Sequence, residues 1–132
     1  MAVPGATAAG DVLVIDDDAI LRDLVADWLE AAGYKVRKAA DCEAARAAIA
    51  QRAPALIVSD MFMPGACAQA AIAQLKRCVP SVPLIAVSGY FKSGSGVSAE
   101  EALAAGAARA LAKPVRRAQL LVAVSELIGP PA

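Results

Sequence analysis

Val12-Leu13-Val14-Ile15-Asp16-Asp17 is an apolar run of strand length that ends abruptly in two acids. The same arrangement recurs in Val58-Ser59-Asp60 and in Leu84-Ile85-Ala86-Val87-Ser88-Gly89, and more weakly in the alanine-rich Ala110-Leu111-Ala112-Lys113-Pro114. A run that is apolar at successive positions has no solvent-facing side. Each piece therefore reads as a parallel strand buried on both faces, delivering its polar group at the C-terminal tip. Together the four tips supply three carboxylates, a hydroxyl and an ammonium, an inventory suited to a divalent cation and a phosphoryl group.

Between these runs the pattern changes to helical spacing. After strand one, Val12 to Asp16, an amphipathic helix carries Leu21, Leu24, Val25, Trp28 and Ala32 on one face and Arg22, Asp23, Asp27 and Glu30 on others. Asp18 is placed to cap its start and Gly33 its end. Tyr34 to Ala39 reads as a partly polar second strand, and Asp41 as the cap of a helix running to about Arg52 before Pro54. Ala55 to Ser59 is strand three, about Ala66 to Cys78 a helix, and Leu84 to Ser88 strand four. Gly89 to Val97, with three glycines and two serines, reads as a mobile loop. Ser98 and Glu101 form a capping box for a short helix closed by Gly106, and Ala108 to Ala112 is strand five. A last helix turns Leu120, Leu121, Val124, Leu127 and Ile128 inward and ends at Gly129-Pro130. Residues 1–10 read as a disordered leader, 11–129 as one domain and 130–132 as a tail.

Strictly alternating strands and helices with short connections predict an α/β domain, a doubly wound five-stranded parallel sheet with helices on both faces. The order 2-1-3-4-5 suits it. In that order strands one and three are neighbours, so Asp16, Asp17 and Asp60 converge in the crevice at the switch point, where open α/β sheets bind ligands.

Composition narrows the function. At 132 residues the chain fits a single domain with a sizeable, largely aliphatic core. Lys plus Arg equals Asp plus Glu at 13 each, which removes the electrostatic argument for direct binding to nucleic acid or an anionic membrane. The chain contains no histidine, so imidazole bases, imidazole metal ligands and a phosphohistidine on this chain are excluded. Cys42, Cys67 and Cys78 lack CxxC spacing and fall in helical segments, reading as buried or half-buried thiols in a reducing compartment. No stretch approaches the ~18 apolar residues of a membrane span, and the expected location is the cytoplasm.

Three carboxylates held within a few ångströms repel one another, and a hard cation such as Mg2+ (or Mn2+) relieves that repulsion. Asp60, alone on its strand, is then the candidate nucleophile, with Ser88 donating a hydrogen bond to a phosphoryl oxygen and Lys113 offering a compact positive charge. The segments Val14-Ile15-Asp16-Asp17-Asp18, Ser59-Asp60-Met61-Phe62-Met63-Pro64-Gly65, Val87-Ser88-Gly89 and Ala112-Lys113-Pro114 resemble the signature of the receiver domains of two-component response regulators, over about Asp11 to Gly129. The resemblance implies a flavodoxin-like receiver fold. It implies that Asp60 is the phosphoacceptor, that Asp16 and Asp17 hold Mg2+ with the Phe62 carbonyl, that Ser88 is the switch hydroxyl and that Lys113 pairs with the phosphate. It also implies a cis Lys113-Pro114 bond and a partner histidine kinase or phosphotransfer protein, with a further protein as downstream target.

The chain departs from that pattern at the switch. The aromatic residue usual three positions before the lysine is Ala110 here, which has no rotamer to swing inward. The loop after Ser88 is longer and carries Tyr90 and Phe91 next to Gly89 and near Gly94 and Gly96. The Ser-Gly-aromatic-aromatic run resembles a subgroup of stand-alone receivers that move the switch into this loop, and that resemblance implies that Tyr90 or Phe91 closes over the phosphorylated site. Phe62 and Tyr90 also flank the path of a hydrolytic water, which bulky apolar groups obstruct. Arg116 and Arg117 open the last helix against its dipole and offer a basic patch to an acidic partner surface.

Other readings compete. A receiver segment of a hybrid kinase or larger regulator has the same sequence. A haloacid-dehalogenase-like phosphatase also uses Asp, Ser, Lys and Mg2+, but places its second acid two residues after the nucleophile, where Phe62 stands. A flavin carrier of similar fold needs a phosphate loop after strand one, where Asp16-Asp17-Asp18 repels phosphate.

Overall fold

Every residue of β1 (Asp11–Ile15), β3 (Leu56–Asp60) and β4 (Leu84–Ser88) is buried, as continuous apolar runs require when both faces of a sheet are covered. The computed structural model describes residues 11–60, 68–88 and 99–130. In chain order the described elements are β1, α1 (Ala19–Ala31), β2 (Lys35–Ala39), α2 (Cys42–Gln51), β3, α3 (Ala68–Cys78), β4, α4 (Ala99–Ala105), β5 (Arg109–Ala112) and α5 (Arg117–Ile128). The strands form one parallel sheet of order β2-β1-β3-β4-β5, the order expected from sequence.

The two-residue period of the strands divides the core. Leu13, Ile15, Ile57, Leu84 and Ala86 point to the face covered by α2, α3 and α4, where they meet Ala45, Leu75 and Ala102. Val12, Val14, Leu56, Val58, Ile85 and Val87 point to the other face, against Val25 and Leu29 of α1 and Leu120 and Val124 of α5. The edge strands are less buried and carry the charges: Lys35, Arg37 and Lys38 in β2, Arg109 in β5, a protection against edge pairing.

Local signals set the helix ends. Asp18 Oδ1 accepts from the backbone N–H of Ile20 (3.0 Å) and Leu21 (3.2 Å), and Asp41 Oδ1 from that of Ala44 (2.7 Å), as N-caps do. Gly33 and Gly106 close α1 and α4 at φ 107° and 125°, a conformation without steric cost only for glycine. At α5, Arg116 occupies the cap position with no side-chain hydrogen bond.

Several expectations need correction. Leu24 is 42% exposed, while Leu29 and Ala26 are fully buried. The apolar arc of this helix is wider than the sheet covers, and contact centres on Val25 and Leu29, one turn apart. In α5, Leu121, Leu127 and Ile128 are only partly buried, flanking a buried line of Leu120, Ala123 and Val124. Cys78 is exposed, because α3 buries Leu75 and the following Val79 on a different face; Cys42 is half-buried. Tyr34 precedes β2, and its hydroxyl donates to the Gly129 carbonyl at 2.9 Å, tying the end of α5 to the start of β2.

Asp11 begins β1 rather than preceding it, fully buried at the end of the sheet opposite the strand tips. Arg37 of β2 grips its carboxylate with Nε (3.3 Å) and Nη2 (3.0 Å), and Arg52 after α2 adds Nε at 3.2 Å. Arg37 also donates to the carbonyls of Ala48 and Arg52, both at 2.7 Å. One buried acid thus joins β1, β2 and the end of α2. The expected leader (1–10), the loop 89–97 and the Ser98 half of the capping box lie outside the described residues, as does Cys67.

Candidate functional site: an acid cluster at the strand tips

Ile15 of β1 pairs with Ser59 of β3, so the next residues along, Asp16 and Asp60, arrive side by side. Asp16 continues the ladder by one bond, its N–H donating to the Ala39 carbonyl of β2 at 3.1 Å. The chain then turns away, and Asp17 reaches solvent while Asp16 and Asp60 stay buried. A carboxylate oxygen from each of Asp16, Asp17 and Asp60 lies within 4.8 Å of the other two.

Lys113 enters from β5. Its Nζ is 3.2 Å from Asp60 Oδ1, and its backbone N–H donates to the Ser88 carbonyl at 3.1 Å. The Lys113-Pro114 bond is cis. Ser88 is buried at the tip of β4, in register with Ala112. The crevice thus brings together Asp16, Asp17, Asp60 and Lys113, with Ser88 one strand over and linked through the Lys113 backbone.

The electrostatics are those of a crowded acid site. Burial is the main force pushing the Asp16 carboxyl up from 3.8 to about 6, and the Asp60 charge adds to it. The Asp18 N–H, donating to Asp16 Oδ1 at 2.9 Å, and the Lys113 ammonium pull the other way. Among the described residues, one ammonium faces three carboxylates. Beneath the acids a cavity of about 10 Å³ lined by Val14, Val58, Val87 and Leu120 leaves room for one water at most. Oxygen donors alone, in surplus negative charge, fit a hard divalent cation such as Mg2+ and suit thiophilic metals poorly.

The remaining predicted residues are placed as follows. Ala110 is half-buried and pairs with Ala86. Pro114, Arg116 and Arg117 are exposed around the start of α5. Phe62, Gly89, Tyr90 and Phe91 lie outside the described residues. Sequence reasoning missed Arg22, which it assigned to the polar side of α1. Its Nη1 reaches back six residues to donate to the Asp16 carbonyl at 2.8 Å. The available signal was its position one turn into a helix that starts directly above the acidic turn. Among the described residues no helix is long and apolar enough to cross a membrane.

Comparison with known proteins agrees with this geometry. Residues 12–125 match the family described as response regulator receiver domain. The nitrogen assimilation regulatory protein NtrX of Azorhizobium caulinodans is 35% identical over 116 residues, which cover 86% of this chain and 25% of that protein. The chain therefore spans about a quarter of that relative's length. The crystal structure of the NtrX receiver domain from Brucella abortus superposes with a TM-score of 0.80 at 32% identity, covering 89% of this chain and 98% of that one. For the Vibrio cholerae chemotaxis protein CheY4 the values are 0.77 and 28%, with 92% and 99% covered. The matched span takes in all five strands but for Asp11, together with the acids at their tips, and this chain belongs to the response regulator receiver domain family, the signalling modules of two-component systems.

Proposed function

We propose that this receiver domain accepts a phosphoryl group on Asp60, from a phosphohistidine of a partner kinase or phosphotransfer protein, with Mg2+ (or Mn2+) held by Asp16, Asp17 and Asp60. The observation that carries the assignment is the position of Asp60: it shares the acid cluster and is also the acid that Lys113 Nζ contacts, at 3.2 Å. A carboxylate oxygen of Asp60 attacks phosphorus, forming the new O–P bond as the P–N bond to the partner's imidazole breaks and that nitrogen keeps the electron pair. Held by Asp16, Asp17 and Asp60, Mg2+ would supply positive charge that eases the approach of two anionic groups. Lys113, already beside Asp60, pairs with the oxygens of the product. Ser88, at the neighbouring strand tip, donates its hydroxyl to a phosphoryl oxygen.

The product is an acyl phosphate on the protein, so the domain signals by changing what it binds and does not turn over a substrate. Ala110 leaves the route through an aromatic side chain of β5 without its moving part, and the basic pair Arg116-Arg117 offers an acidic partner a landing place beside the site. The setting is the cytoplasm, where the kinase's phosphoryl group is delivered.

Incubation with a radiolabelled phosphohistidine donor tests the assignment. Wild type takes up an alkali-labile label in the presence of Mg2+, EDTA prevents it and Asp60→Ala takes up none. Undiminished label on Asp60→Ala overturns it.

A further inference from the structure

Asp16, the residue just past β1, makes the last backbone bond to β2. In a continued parallel ladder its carbonyl accepts from the N–H two residues beyond Ala39, that of Asp41. β2 ends at Ala39, and Asp41 instead caps α2. The carbonyl at the rim of the acid cluster has lost its strand partner, and the Arg22 guanidinium takes the vacated place at 2.8 Å.

Residue 22 holds the acidic turn from both ends. Its backbone N–H donates to the Asp18 carbonyl at 2.9 Å, the first bond of α1, while its side chain arches back over the cap to Asp16. Asp17 lies between these anchors. It is the exposed member of the trio, with a burial that does nothing to hold it. The orientation of the Asp16-Asp17 peptide decides where the Asp17 carboxylate points, and the guanidinium fixes that peptide. A cation in the first turn of a helix is disfavoured by the helix dipole, a cost that the bond to Asp16 offsets.

We propose that Arg22 is a positioning residue for the metal site: it ties the Asp16 carbonyl and so presents the Asp17 carboxylate to the cation. The inference rests on the proposed role of Asp16, Asp17 and Asp60 as the Mg2+ site. Arg22 touches neither metal nor phosphoryl group. Its effect passes through backbone orientation, in the manner of outer-shell partners whose removal costs metal affinity.

Isothermal titration of Mg2+ into the full chain tests it, with parallel titrations of Arg22→Ala, Arg22→Lys and Asp17→Asn and with melting curves in EDTA. Arg22→Ala is expected to bind Mg2+ roughly 10-fold more weakly or worse, while its metal-free melting curve stays close to wild type. Arg22→Lys, which keeps one N–H donor of similar reach, recovers most of the loss. If Arg22→Ala does not fold, Arg22→Gln takes its place with the same expected weakening. Wild-type affinity in Arg22→Ala or Arg22→Gln, or a lysine variant no better than these, overturns the inference and leaves the metal site standing. A wild type that does not bind Mg2+, or an Asp17→Asn variant that binds it equally well, removes the metal site itself and this inference with it.

Discussion

Asp16 holds its proton more tightly in the folded chain than in the unfolded one, at about 6 against 3.8, chiefly because it is buried. In the metal-free protein its contribution to stability is therefore fully present below about pH 4 and is lost as pH rises through 6. No histidine titrates in that window to obscure it. Asp16→Asn keeps the shape and removes the titration. In EDTA, the melting temperature of the variant relative to wild type is expected to rise between pH 4 and about 7 and to level off above. A difference constant with pH contradicts the buried, proton-holding Asp16. If the proposed site holds Mg2+, adding it at pH 7 is expected to raise the melting temperature of wild type by mass action, about 2.7 kcal/mol of stabilisation at a hundred times the dissociation constant.

At the scale of elements, the helices near the site do not all start alike. α1 and α2 begin with Asp18 and Asp41, whose carboxylates take up backbone N–H groups. α5 begins with Arg116 in extended conformation (φ −96°, ψ 137°), with no side-chain bond to its first turn and Arg117 following. A backbone already set for a cap needs only the right side chain. Arg116→Asp is expected to add about 1 kcal/mol, read as a higher urea midpoint with an unchanged slope. No gain in midpoint means that the arginine already satisfies the helix end by another contact.

Over the whole molecule the sheet has two poles of opposite character. At the C-terminal tips three acids crowd together beside one ammonium. At the N-terminal end a single fully buried acid, Asp11, is held by two arginines. Among the described residues the first pole is left with surplus negative charge, whereas the acid of the second is paired. Arg37, 22% exposed, makes two bonds to Asp11 and two to carbonyls, whereas Arg52 is 51% exposed and makes one bond to Asp11. Arg37→Ala leaves a buried carboxylate with a half-solvated partner and is expected to cost about 3 kcal/mol. Arg52→Ala is expected to cost less than about 1 kcal/mol. Urea unfolding of the two variants measures the contrast, and equal losses refute the view that Arg37 is the principal clamp.

The strand runs Val12 to Ile15 and Leu84 to Val87, with polar residues at their ends, carried the fold and the acid site in the sequence, because burial on both faces leaves a pattern in adjacent residues. The strand order and the meeting of Asp16, Asp17, Asp60 and Lys113 followed from that pattern and from resemblance. What adjacent residues do not record is distance between separate segments. Only the tertiary structure decided that Asp11 is buried against Arg37 and Arg52, 26 and 41 residues away, that Leu24 lies beyond the sheet's reach while Leu29 does not, and that Arg22 turns from the polar face of its helix to the Asp16 carbonyl. Each depends on where one element ends relative to its neighbour, a property of packing that no local run of sequence contains.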